Sequence, residues 1–141
     1  MTSLTRQFVV DGSFARAGDA SSRLKKMLKD LGFPQDIVRR VAVASYEAEI
    51  NMVIHANGGT ITATVSPAEI ELVFADRGPG IPNIERAMQA GWSTASQTAR
   101  AMGFGAGMGL PNIKKFSDDF LLETEIGIGT VLTVRIRTGK D

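Results

Sequence analysis

Leu4 to Val10 (LTRQFVV) alternates loosely between polar and apolar positions and ends at Asp11-Gly12, which predicts a strand closed by a turn. From Gly18 to Leu31 (GDASSRLKKMLKDL) the apolar spacing lengthens to three and four. Leu24, Met27, Leu28 and Leu31 then share one face of a helix, with Asp19 as its candidate cap and Gly32 as its stop. Phe33-Pro34-Gln35-Asp36 supplies a proline in the first turn and an early acid, predicting a longer helix that runs to about Ala56 and ends at Asn57-Gly58-Gly59. Thr60 to Val65 and Ile70 to Ala75 read as two strands of a hairpin, with Asp76 where the second stops. Residues 83 to 90 are predicted as a short helix, 91 to 108 as a loop, and Leu110 to Phe116 as a further helix. Phe120 to Glu125 and Thr130 to Arg137 form a second predicted hairpin around Ile126-Gly127-Ile128-Gly129.

Helices early and paired strands later predict an α+β, two-layer sandwich: a mixed, mainly antiparallel sheet with helices on one face. The 141 residues show no repeat and no linker, so a single domain over 1–141 is expected. Sixteen basic against fifteen acidic residues leave a formal charge of +1, with no basic run, so nothing in the bulk electrostatics predicts a nucleic-acid partner. The absence of cysteine excludes disulfides and thiolate metal sites and is compatible with a reducing compartment. The opening MTSLTRQFVVDGSF has too short an apolar run for a signal peptide or membrane span, so a cytoplasmic protein without membrane contact is expected.

The long helix carries the first chemical signal. At about 100° per residue, Val43, Ile50 and Ile54 share one direction and Val41, Ala48 and Met52 lie about 160° around from it. Between these apolar flanks run Glu47, Asn51 and His55, stacked at i, i+4 and i+8. Polar groups between apolar neighbours lose hydration and need partners. The plain alternative is a solvated edge whose carboxylate pairs with a lysine or arginine. A lone histidine near a helix C-terminus is more often a cap or a packed side chain than a ligand. Ser45 and Glu49 point elsewhere, where water is expected.

Glycines supply the second signal. Asp76-Arg77-Gly78-Pro79-Gly80 places a carboxylate at a strand end, and Gly103, Gly105, Gly107 and Gly109 alternate just before a helix. So much backbone freedom suggests a ligand touching main chain, and free N–H groups leading into a helix form an anion site suited to phosphate. No Gly-Lys-Ser/Thr or G-x-G-x-x-G pattern is present, and two unconnected flexible turns would explain each cluster taken alone.

Glu47-x3-Asn51-x3-His55, Asp76-x-Gly78-x-Gly80, the alternating glycines of 103 to 109 and Gly129-Thr130 resemble, in order, the N, G1, G2 and terminal Gly-Thr motifs of the GHKL ATPases. That superfamily takes in gyrase, the heat-shock chaperones, histidine kinases and mismatch-repair proteins. Over nearly its whole length the chain looks like the small stand-alone bacterial members, the anti-sigma factor kinases and switch-protein serine kinases. It shows no phosphoacceptor-histidine helix pair or transducer domain, which sets it apart from complete histidine kinases and topoisomerases.

The resemblance implies a Bergerat ATP-binding fold and the following roles. Asn51 would offer a neutral oxygen to Mg²⁺, and Glu47, one turn earlier, would act as general base. Asp76 would accept from the exocyclic amine of adenine, with Thr130 helping through water, while Gly78 and Gly80 let the base lie against main chain. Gly105, Gly107 and Gly109 would wrap the phosphates of ATP, with residues 92 to 108 as a lid. Arg100, Lys114 and Lys115 are either phosphate ligands or solvated side chains.

Three functions fit such a pocket. One is a protein serine/threonine kinase that transfers the γ-phosphate of ATP to a small STAS-type antagonist protein. Another is a nucleotide-gated module that sequesters a sigma factor or other regulator without phosphotransfer, and the third is a slow ATPase. A homodimer is compatible with each.

Overall fold

The computed structural model describes residues 3–81, 88 and 109–139. Gly105, Gly107, Arg100, the predicted lid and, residue 88 apart, the predicted helix at 83–90 lie outside the described residues. Strands β1 (Leu4–Val10), β2 (Gly59–Val65), β3 (Glu69–Asp76), β4 (Asp119–Glu125) and β5 (Gly129–Arg137) form one sheet in the order β1-β2-β3-β5-β4. Helices α1 (Asp19–Asp30), α2 (Gln35–Ala56) and α3 (Gly109–Phe116) supply the second layer. Among the described residues every strand pairing is antiparallel, in keeping with the mainly antiparallel sheet expected from the sequence. The reason is that the second hairpin docks through β5: β5 sits between β3 and β4, so the long β3-to-β4 connection never has to produce neighbouring parallel strands.

Strand alternation sorts the two faces. Ile61, Ile70, Leu72, Val134 and Ile136 point to the helices and are wholly buried, and Leu24, Leu28 and Val41 meet them from the helical layer. One register row across the core-facing side reads Phe8, Ile61, Phe74, Leu132 and Leu122. The next core-facing positions on three neighbouring strands are Asp76, Thr130 and Thr124, so the layer turns polar at this end of the sheet.

Two helix starts differ from the sequence reading. Pro34 is the residue before the first turn of α2, with ψ 148°, rather than a member of it. The residue capping α1 is Gly18, in the left-handed region at φ +99°, and Asp19 is already helical. The missing cap side chain comes from another helix. Glu49 of α2, 1% exposed, accepts the backbone N–H groups of Gly18 (3.0 Å), Ala20 (3.2 Å) and Ser21 (2.8 Å). The expectation that Glu49 and Ser45 face water is therefore wrong. Both are buried, and the Ser45 hydroxyl donates to the Val41 carbonyl at 2.7 Å. Periodicity places a residue on a helix face, but what covers that face depends on where the chain before α1 lies.

Candidate functional site

The C-terminal end of the polar row of α2 lies near the polar end of the sheet. Glu47, Asn51 and His55 are each partly buried. Burial pushes the Glu47 carboxyl above its ordinary value. Burial also lowers the His55 imidazole, while the negative charge of Asp76 pulls it back up, so the helix C-terminus and the end of β3 are electrostatic neighbours. At the middle of the row, a Cβ placed on Gly109 would lie 3.0 Å from Asn51 Oδ1 and 3.1 Å from its Nδ2. The start of α3 therefore rests directly on the Asn51 carboxamide.

Asp76 is held by backbone. Its Oδ1 accepts the N–H of Gly78 at 2.9 Å and that of Thr130 at 3.3 Å, the latter across the β3–β5 register in which Asp76 and Thr130 are partners. Thr130 in turn lies 3.0 Å, oxygen to oxygen, from Thr124, whose hydroxyl accepts the Ile81 N–H at 2.8 Å. A second bond, from the Gly127 N–H to the Pro79 carbonyl at 2.9 Å, ties the loop after β3 to the β4–β5 hairpin.

The glycines of that loop are required by the chain's own packing. A Cβ on Gly78 would come within 2.6 Å of the Ala56 Cβ. Gly80 adopts φ +82°, and a Cβ there would come within 2.7 Å of the Glu125 carbonyl oxygen.

Asp76, Gly78 and Thr130 are thus joined at the end of β3, Gly78 packs on Ala56 at the C-terminal end of α2, and Gly109 rests on Asn51 further back along that helix, with Glu47 one turn beyond Asn51. Lys114 and Lys115 are solvent-exposed on α3, and the Lys115 ammonium and Arg39 guanidinium each lie 5.7 Å from the centre of the Phe116 ring. Thr124 escaped the sequence reading, although a signal was there: with Phe120 and Leu122 it completes the inward-facing alternation of β4, and it breaks the apolar series.

The antiparallel two-layer sandwich carries a carboxylate at a strand end and a helix with acid and amide one turn apart, and its family match places it in the class of ATPase domains. The histidine kinase-like ATPase domain family matches residues 13–136, and the chain belongs to that family. Among proteins of known function it is 32% identical over 110 residues to the serine/threonine-protein kinase RsbT of Bacillus subtilis, covering 75% of this chain and 77% of the relative. It is also 32% identical over 130 residues to the anti-sigma F factor of Clostridium acetobutylicum, covering 87% and 82% of the two chains. The crystal structure of the RsbU and RsbW domains of Rv1364c from Mycobacterium tuberculosis shares the fold, with a TM-score of 0.67 at 15% identity over 98% of this chain and 33% of that one.

No described helix is long and apolar enough to cross a membrane.

Proposed function

We propose that this protein is an ATP-dependent protein serine/threonine kinase of the anti-sigma or switch type, acting in the cytoplasm on a small STAS-type partner protein. The observation that carries this reading is the meeting of the α2 polar row with Asp76 and the start of α3, supported by relatives named as a serine/threonine kinase and an anti-sigma factor. Asp76 is the acceptor for the adenine amine, with Thr130 beside it, and Gly78 and Gly80 shape the loop at that end of the pocket. Gly105, Gly107 and Gly109 precede or open α3, where N–H groups and the helix dipole favour phosphate.

Among the described residues no three acids or histidines gather as a metal cage. The Asn51 oxygen would be the protein's ligand to Mg²⁺, an ion suited to few protein ligands because it retains several waters. When bound, that ion supplies charge neutralisation at the triphosphate. Glu47 takes the proton of the attacking serine or threonine hydroxyl as its oxygen bonds to the γ-phosphorus and the bond to the bridging oxygen breaks. Burial that raises the carboxyl makes it a stronger base at neutral pH.

Incubation with γ-labelled ATP, Mg²⁺ and the co-purifying partner, comparing wild type with Glu47→Ala, tests the proposal. Label on the partner that is lost in the variant, with nucleotide binding kept, supports it. An unlabelled partner held in a nucleotide-dependent complex identifies a binding module instead, and free phosphate released without partner identifies an ATPase.

A further inference from the structure

Helix α3 is 8 residues long and has little stability of its own, so its position is set by what holds it. Its Leu110 and Ile113 side chains are buried, but apolar burial is non-directional and does not fix how far a helix slides or tilts along its neighbour. Directional contacts do that. At its start, Gly109 rests on the Asn51 carboxamide. At its end, the last four carbonyls have no partner within the helix. Ser117 serves two of them, its N–H donating to Lys114 at 3.2 Å and its hydroxyl to Ile113 at 2.6 Å, but Ser117 follows α3 directly and moves with it. The Phe116 carbonyl is bound from another helix: it accepts from Nε of Arg40, on α2, at 3.2 Å.

The same guanidinium reaches a second acceptor. Its Nη2 lies 3.2 Å from Asp118 Oδ2. Asp118 is fixed to the sheet, since Oδ2 also accepts the Arg137 N–H at 2.6 Å and the Asp118 N–H donates to the Arg135 carbonyl at 2.9 Å. One planar fork thus joins α2, the end of α3 and the sheet, a geometry suited to arginine and not reproduced by the single ammonium of lysine.

Arg40 and Asn51 stand eleven positions apart on α2. At about 100° and about 1.5 Å per residue, that is about 20° past three turns and about 16 Å along the axis, so both occupy one face. Helix α3, about 12 Å long, runs between them with its start at the later residue and its end at the earlier, and the arginine side chain spans the rest. Helix α2 therefore grips α3 at both ends.

We propose that Arg40 is a positioning residue for the phosphate end of the nucleotide site. By fixing the last turn of α3 against α2 and the sheet, it sets where the first turn lies over Asn51, and with it the N–H groups that face phosphate. It acts through α3, about three turns of α2 away from Asn51, and not by touching the nucleotide. The inference rests on the roles proposed for Asn51 and for the start of α3.

NMR spectra of the nucleotide-free protein test the first step. Arg40→Met keeps the aliphatic stem and removes both donors. The Asn51 side-chain amide resonances are expected to shift, because Gly109 lies on that group, while the backbone amide of Gly78, bound to Asp76, keeps its position. Asn51 signals that stay in place overturn the proposal. A displacement that takes in Gly78 equally marks a general loosening and overturns it too. Asp118→Ala leaves the Phe116 bond and removes the acceptor that braces the guanidinium, so it should move the Asn51 signals in the same direction by less. It decides the question in the same way if Arg40→Met does not fold.

Calorimetric titration with Mg-ATP tests the second step. Arg40→Met is expected to weaken binding by about tenfold, the effect of a small displacement of positioned groups. Wild type that binds no Mg-ATP, or whose affinity is untouched by both Asn51→Ala and Asp76→Asn, removes the pocket reading and this inference with it. Normal wild-type binding that Arg40→Met leaves unchanged removes only the inference.

Discussion

Glu49→Gln isolates the contact that locks α1 to the helix carrying Glu47 and Asn51. The native carboxylate serves the second and third residues of α1, Ala20 and Ser21, as a capping side chain would, and also takes the Gly18 N–H. Glutamine keeps the volume and one acceptor oxygen. That oxygen can retain Gly18 and Ala20, which share Oε2, but the amide nitrogen then faces the Ser21 N–H, donor against donor. Losing one bond to a charged acceptor, and leaving its buried donor unpaired, costs about 1.5–3 kcal/mol. With a urea m-value of about 2 kcal/mol/M, a loss of about 2 kcal/mol lowers the denaturation midpoint by about 1 M. Glu49→Ala strands all three donors and costs about 3–5 kcal/mol, a large part of a total of about 5–15 kcal/mol. Urea titrations followed by circular dichroism, with hydrogen exchange at the Ala20 and Ser21 amides, measure both effects. A glutamine midpoint within about 0.2 M of wild type at unchanged slope, with those amides equally protected, would refute the capping role.

Asp76→Asn is expected to weaken Mg-ATP binding by about 10- to 100-fold in calorimetry, the worth of a charge-assisted hydrogen bond. Glu47→Gln should lower phosphotransfer by about 10²- to 10⁴-fold. Because the folded pKa of Glu47 lies above the ordinary 4.5, its protonation favours the folded state: that stabilisation is full below 4.5 and is lost as pH rises through the folded value. The glutamine variant should thus be slightly more stable than wild type at pH 7, by less than about 1 kcal/mol at a solvent-screened site, and the gain should vanish in acid melts. His55 has the opposite sign. With a folded pKa below 6.5, it adds stability above 6.5 that is lost as pH falls through the window beneath it, and His55→Gln should flatten that part of the stability curve. Gly109→Ala, whose Cβ would press on the Asn51 carboxamide at 3.0 Å, should weaken Mg-nucleotide binding about tenfold while changing the melting free energy by less than about 1 kcal/mol.

Strand and helix bounds were legible in the sequence because apolar period and turn chemistry agree along the chain. β1 is observed over Leu4–Val10 as predicted, and α2 ends at Ala56 where Asn57 turns left-handed at φ +58°. The polar row of α2 was legible for the same reason, since neighbours at i and i+4 follow from helix geometry alone. Glu49 and Thr124 were not read, and both failures are tertiary. Exposure of Glu49 depends on the segment around Gly18, 31 positions earlier, crossing over it. What Thr124 holds depends on Ile81, 43 positions away, bringing its N–H to that hydroxyl. The sheet order was equally out of reach, because either strand of the second hairpin satisfies the same alternation and only packing selects β5 as the partner of β3.

Gly78 and Gly80 bear on what glycine clusters mean. Side chains are excluded there by Ala56 and by the Glu125 carbonyl, so both residues would be glycine even if nothing ever bound. What points to a ligand is the composition of the surfaces those close approaches bring together. Asp76, Thr130 and Thr124 occupy inward-facing positions next to Phe74, Leu132 and Leu122, where a purely structural sheet would continue in valine and leucine. Helix α2, whose His55 feels the charge of Asp76, also carries an acid whose burial raises its pKa and an amide pressed against a helix start. Desolvating a carboxyl without a compensating charge costs stability, and at Glu47 no hydrogen bond among the described residues of the kind that holds Glu49 accompanies the burial that raises its carboxyl. On the proposed reading, the glycines set how closely these elements approach, and the polar residues beside them determine what can bind there.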